Sequence, residues 1–220
     1  MLSYFSTAMP NQKLDISRTN NKLIVFEGID GSGKSTHLQR AADWIHERGY
    51  PVVIQREPTE GPFGRKLRDS ALNGRLSPQE ETDLFIRDRL WNARENIEPA
   101  LRQGETVLLD RYYFSTIAYQ SARGLDPEEI RRKNEAFAPR PDLVLLFDLD
   151  PEIALDRIRE KRGESPNLFE KLEYLRQVRE NFLKLSDPFI RLIDASLSIE
   201  DVWLQVKEAI EPLFPGKSSP

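Results

Sequence analysis

At 220 residues, 39% hydrophobic and 31% charged, the chain is long enough to bury a core without disulfide or metal staples, and its composition is neither collagen-like nor that of a disordered chain. It has no cysteine, which removes disulfide frameworks, zinc-thiolate sites, iron–sulfur clusters and thiol nucleophiles, and its two histidines poorly supply a histidine-rich metal site or a Ser-His-Asp triad. A net charge of −4, from 32 basic and 36 acidic residues, argues against a general nucleic-acid coat, and no apolar stretch is long enough for a membrane span.

Residues 1–21 scatter apolar side chains among Ser, Thr, Asn and Gln and carry no early positive charge, so they read as a flexible tail rather than a secretory signal. Residues 23–26 are the first of five short apolar runs. The others are 51–54, 106–109, 143–147 and 189–193. Each leads into a polar residue, the pattern of strands buried on both faces. Helical patterns cover 34–48, 78–103, 112–122, 127–137, 151–162, 168–185 and 199–213. Two of them open with clear start signals. Ser77-Pro78-Gln79-Glu80 makes a capping box, and Asp126-Pro127-Glu128-Glu129 sets an N-cap, a helix-compatible proline and two acids in order. With no repeat, linker or composition break, the alternation predicts one α/β domain over 22–214. The expected architecture is a three-layer sandwich whose central parallel sheet has about five strands flanked by helices, with ligands outside the carboxyl ends of the strands.

Directly after the first run stands Gly28-Ile29-Asp30-Gly31-Ser32-Gly33-Lys34-Ser35-Thr36, a G-x-x-x-x-G-K-S loop between strand and helix. Its glycines let backbone N–H groups converge on phosphate oxygens, and the helix N-terminus adds a positive dipole end. Lys34 can reach the β and γ phosphates, and the Ser35 hydroxyl suits Mg²⁺. The loop predicts a nucleoside triphosphate ligand. A GTPase would need an N-K-x-D guanine reader, yet the one Asn-Lys, Asn21-Lys22, precedes the first strand. Motor and transporter ATPases put Asp-Glu where this chain has Asp110-Arg111. Both omissions favour phosphoryl transfer to a small acceptor.

Arg56 follows the second strand and Arg111 the third. If the helix includes Arg111, then Arg111, Ser115 and Tyr119 fall at i, i+4 and i+8, where a guanidinium, a hydroxyl and a phenol could grip a phosphate, a base edge and a sugar. Phe85 and Arg89 are likewise four apart. These segments, namely Phe26-Glu27 with the loop, Arg56-Glu57-Pro58, and Asp110-Arg111-Tyr112 with Ser115, Tyr119 and Gln120, occur in an order and spacing that resemble the thymidylate kinase family from about residue 23 to 210.

The resemblance implies ATP and Mg²⁺ as donor and cofactor and dTMP as acceptor, giving dTDP and ADP. It implies that Asp30 holds the acceptor's 3′-hydroxyl and that Arg56 and Arg111 bind its phosphate. Phe85 would stack on thymine, Arg89, Ser115 and Gln120 would read its edge, and Tyr119 would crowd the 2′ position. Asp110 would orient Mg²⁺ waters or arginines. Gly31 and Ser32 are uncharged, so the chain resembles members that draw a basic residue from a lid near 151–170, with Arg157, Arg159 and Arg162 as candidates. Helical spacing puts Arg157 and Lys161 on one face and Arg159 and Arg162 on roughly the opposite one, so a single pair can aim inward. Asn167-Leu168 stands where many relatives carry Asp-Arg. The resemblance further implies a homodimer, and the absence of cysteine fits the cytoplasm. Two alternatives stay open: another deoxynucleotide or deoxynucleoside kinase, with Glu27 or Glu57 as base for a nucleoside, and a non-catalytic nucleotide-binding regulator.

Overall fold

The computed structural model describes residues 20–74, 76–162 and 168–215. Residues 1–19 of the expected tail 1–21, and residues 163–167 of the expected lid, lie outside them. Five parallel strands form one sheet in the order β2-β3-β1-β4-β5, with β1 at Leu23–Glu27, β2 at Val52–Arg56, β3 at Thr106–Asp110, β4 at Leu143–Asp148 and β5 at Ile190–Asp194. Every residue of β1 and β3 is buried, as are the first five of β4. The uninterrupted apolar runs of these three strands follow from that, because helices cover both faces of a parallel sheet. The expectation of two buried faces fails for β2 and β5. Among the described residues each has only one neighbouring strand, and Ile54 and Leu192 stand 42% and 57% exposed at these edges.

Helices α1 (Lys34–Glu47), α2 (Pro62–Asn73) and α3 (Pro78–Asn92) come before β3. Helix α2 is not among the expected helices, and only its Gly64 and Leu67 are buried. A side chain at position 64 would meet the Thr59 carbonyl at 2.0 Å, so a glycine permits the close approach and leaves no hydrophobic trace in the pattern. The capping box at Ser77 and Glu80 forms as read. The long pattern over 78–103 is not one regular helix. A π turn at Ala93–Ile97 joins α3 to α4 (Glu98–Arg102). Pro99 lies just beyond it and has no N–H for a regular ladder.

After β3 come α5 (Tyr113–Ser121) and α6 (Pro127–Glu135), then α7 (Pro151–Arg162) and α8 (Leu168–Leu183) after β4, and α9 (Ile199–Ile210) after β5. Among the described residues no helix is long and apolar enough to cross a membrane. The core lies on both sides of the central strands, and Leu145 at the middle of β4 is fully buried. Truncating Leu145 to Ala is expected to cost about 2–5 kcal/mol. Leu204→Ala, at a position 60% exposed on α9, should stay within about 0.5 kcal/mol. Urea denaturation of the two variants beside the parent chain checks the contrast.

Candidate active site

The carboxyl ends of β1, β3 and β4 converge on the glycine-rich loop. Gly28 has φ +135, and a Cβ there would stand 2.5 Å from the Phe147 carbonyl on β4. Gly31, at φ +85, would meet the Ala154 carbonyl at 2.6 Å. The loop is thus pressed against both β4 and the start of α7, which only glycine allows. Gly33 is the N-cap of α1, and no side chain caps that helix. Lys34 is buried, with Nζ donating to the Ile29 carbonyl at 2.8 Å. Burial pushes its ammonium down to about 7, aided by the Arg111 charge and opposed by Asp30, Asp110 and Glu27. His37, one turn further, is held at about 4 by burial and by Arg40, so it is neutral.

A cleft of about 660 Å³ opens over this loop, with Arg56, Asp110, Arg157 and the turn at 195–199 on its walls. Ser35 Oγ lies 3.4 Å from Asp110 Oδ2, and Arg56 Nε lies 3.6 Å from the same oxygen. Asp110 Oδ1 is buried without a hydrogen-bond partner among the described residues. No cluster of three His, Asp or Glu able to hold a metal occurs among the described residues. Mg²⁺ is commonly held by one or two carboxylates together with substrate phosphates rather than by a protein cage. An unsatisfied Asp110 oxygen beside the Ser35 hydroxyl fits that mode of binding.

A second cavity, about 200 Å³, lies beside the cleft and shares Asp30 and Arg111 with it. Arg111 does not belong to α5. It has φ +69, the one non-glycine with positive φ among the described residues, and the helix begins at Tyr113. The expected helical stripe is therefore replaced by another geometry that still groups its members. Arg111 Nη1 donates to Ser115 Oγ at 2.8 Å, Nη2 donates to Asp30 Oδ1 at 2.6 Å, and the guanidinium sits 5.3 Å from the centre of the Tyr119 ring.

Phe85 lines the cavity half-buried, while Arg89 lies at its floor, 1% exposed. Arg89 Nε donates to Glu57 Oε2 at 2.8 Å and Nη2 donates to Thr116 Oγ1 at 3.1 Å, while Nη1 donates to Asn134 Oδ1. Asn92 Nδ2 donates to the other Glu57 oxygen at 3.1 Å. Burial pushes the Glu57 carboxyl up to about 7 against the pull of Arg89. Gln120 Nε2 donates to Glu81 at 2.6 Å, and its Oε1 accepts from Arg123, which also pairs with Glu81. Glu27, fully buried at the end of β1, accepts the Tyr112 and Ser115 N–H groups and the Ser115 hydroxyl. Burial pushes its carboxyl up, opposed first by Arg111 and then by these donors.

Arg56 lines the larger cleft and not the smaller cavity, whereas Phe85, Arg89, Ser115, Tyr119 and Gln120 line the smaller one alone. The three arginines expected in a lid separate. Arg157 reaches the Gly31 carbonyl at 3.5 Å and the Ala195 carbonyl at 3.2 Å, on the cleft side of α7. Arg159 is exposed, 3.3 Å from Asp156, and lines neither cavity. The Arg162 side chain lies outside the described residues. The partners of Glu57, the Arg123–Glu81 pair and the 195–199 turn escape sequence reading. For that turn a signal existed: Asp194 ends the fifth strand, on the edge where such sheets bind ligands.

A family model described as thymidylate kinase matches residues 26–206. A protein of Archaeoglobus fulgidus named probable thymidylate kinase is 51% identical over 197 residues, covering 90% of this chain and 98% of that one. The thymidylate kinase of Akkermansia muciniphila is 48% identical, over 88% of this chain and 93% of its own. That of Desulfotalea psychrophila is 43% identical, over 89% and 99%. The match runs from β1 through the phosphate loop and the shared Asp30–Arg111 wall into α9, so the chain belongs to the thymidylate kinase family.

Proposed function

We propose that the protein transfers the γ-phosphoryl group of ATP to dTMP, giving dTDP and ADP. One observation carries the reading: the phosphate-loop cleft and the smaller cavity meet at Asp30 and Arg111, which line both. Donor and acceptor phosphates bound on the two sides are brought end to end, and in-line transfer demands little beyond that alignment and charge neutralisation. Lys34 and the loop amides hold the β and γ phosphates of ATP, with Arg157 approaching from α7. Arg56, at the cleft, and Arg111 hold the acceptor phosphate, and Asp30 holds its 3′-hydroxyl. Phe85 stacks on the thymine ring and Tyr119 crowds the 2′ position. Most of Arg89's five donors are already engaged, so it reads the base with what remains, beside Gln120. Ser35 and Asp110 are the residues that would hold Mg²⁺ with the phosphates. When bound, the ion supplies positive charge to the phosphate oxygens.

An acceptor that is already a phosphate needs no general base. Glu27 and Glu57, the carboxylates a nucleoside acceptor would require, are buried and committed to other partners. That weighs against a nucleoside kinase. A formed acceptor cavity beside the phosphate loop weighs against a regulator that only binds nucleotide. The reading brings with it a cytoplasmic homodimer that acts on small molecules rather than nucleic acid; family likeness supports the dimer, the lack of cysteine fits the cytoplasm, and basic groups gathered locally at the site support a small-molecule ligand.

A coupled assay of ADP release decides the acceptor. dTMP is expected to stimulate turnover, with dUMP, dCMP and thymidine less effective, and a preference for thymidine would overturn the proposal. Arg111→Ala is expected to lower dTMP-dependent turnover by about a hundredfold or more. Its affinity for a non-hydrolysable ATP analogue should survive, as equilibrium titration will read. Lys34 adds a pH signature. With its pKa near 7 in the free protein it is mostly neutral at pH 8, and bound phosphates favour the charged form. ATP binding at pH 8 should therefore take up protons, and affinity should fall as pH rises above 7. Calorimetry in buffers of different ionisation enthalpy measures the uptake, and Lys34→Met should abolish it.

A further inference from the structure

Glu27 is fully buried one residue before the phosphate loop, and none of the roles above uses it. Resting on the reading of Arg111 as a grip on the acceptor phosphate, we propose that Glu27 is a positioning residue for acceptor binding, fixing the Arg111 guanidinium through the Ser115 hydroxyl.

The argument is one of hydrogen-bond direction. Glu27 Oε1 accepts the Tyr112 N–H at 2.7 Å and the Ser115 N–H at 3.1 Å. It thereby caps the start of α5, whose own N-cap residue, Tyr112, offers no side-chain cap. Glu27 Oε2 lies 2.5 Å from Ser115 Oγ. An arginine only donates, so the Ser115 hydroxyl meets Arg111 with its lone pairs and its single proton goes to Glu27. Arg111 Nη1 takes one of them at 2.8 Å, while Nη2 donates to Asp30 at 2.6 Å. The row therefore has one sense, with Arg111 donating at both ends and Ser115 passing the polarity to Glu27.

The backbone follows the same anchor. Arg111 holds φ +69, a region side chains rarely enter, and its N–H bonds the Phe26 carbonyl at 3.0 Å. Glu27 is the neighbour of Phe26, and it holds the N–H of Tyr112, the neighbour of Arg111. Both peptides flanking the Arg111 Cα are thus tied to the end of β1. With its proton committed, Ser115 serves Arg111 rather than the base edge assigned to it from the sequence.

Glu27→Gln keeps the volume and inverts one end of the row. The amide nitrogen can only donate, so either it opposes an N–H of α5 or it turns the Ser115 proton toward Arg111. Calorimetric titration with dTMP, thymidine and a non-hydrolysable ATP analogue tests this on the full chain. The parent should bind dTMP more tightly than thymidine. Glu27→Gln should lose about tenfold or more in dTMP affinity, with thymidine and the ATP analogue unchanged. In an Arg111→Ala background Glu27→Gln should add nothing further. Ser115→Ala should give the same pattern, and it carries the test if Glu27→Gln does not fold. Equal losses for thymidine and dTMP, or losses that multiply with Arg111→Ala, overturn the proposal. If instead the parent binds dTMP no better than thymidine, the reading of Arg111 itself falls, and this inference with it.

Discussion

Three carboxylates buried at the ends of parallel strands organise this protein. Glu27 closes β1, Glu57 stands just beyond β2 and Asp110 closes β3; their exposures are 0%, 3% and 6%. An unpartnered charge removed from water costs several kcal/mol, so each must find donors. Glu57 takes Arg89 and Asn92, and Asp110 takes Arg56 and Ser35. Glu27 takes the start of α5 and, through Ser115, Arg111. Of the arginines that face the two cavities, Arg56, Arg89 and Arg111 are thus held by carboxylates behind them. Side chains ordered before a ligand arrives lose little freedom on binding it, which suits a site that must align two polyanions.

The junction of β4 and α7 is anchored in the same way from another direction. Arg179 of α8 donates to Asp148 at 2.6 and 2.9 Å, and Arg176 reaches Glu152 at 2.6 Å. The β4–α7 junction is therefore clasped by a helix that follows it in the chain. Arg157 points from α7 toward Gly31 and Ala195, and so bridges the phosphate loop and the turn after β5. Of the two helical faces that spacing allowed, packing selects the Arg157 face and leaves Arg159 to Asp156.

The phosphate loop was fully legible because its chemistry is local: glycines for close approach, a lysine and a hydroxyl at fixed spacing, a strand before and a helix after. The central strands were legible for a similar reason, since burial on both faces leaves uninterrupted apolar runs. The edge strands misled because an edge strand may be apolar yet half-covered. Helix α2 falls outside the expected helices although Phe63, Leu67 and Ala71 recur four apart, and only Gly64 and Leu67 of it are buried. At Arg111 the sequence named a residue that lines both cavities but not its backbone, for nothing in its neighbours announces a left-handed turn.

Sequence alone determined the fold class, the succession of motifs along the chain, the phosphate cradle and the identity of most side chains that line the two cavities. Tertiary structure decided which groups hold them. The partners of Arg89 lie 27 to 45 residues away, and Glu27 meets α5 across 85 to 88. Pairings at that separation follow from where crossover helices return the chain, and from the demand that each buried charge be satisfied, neither of which leaves a periodic trace along the sequence.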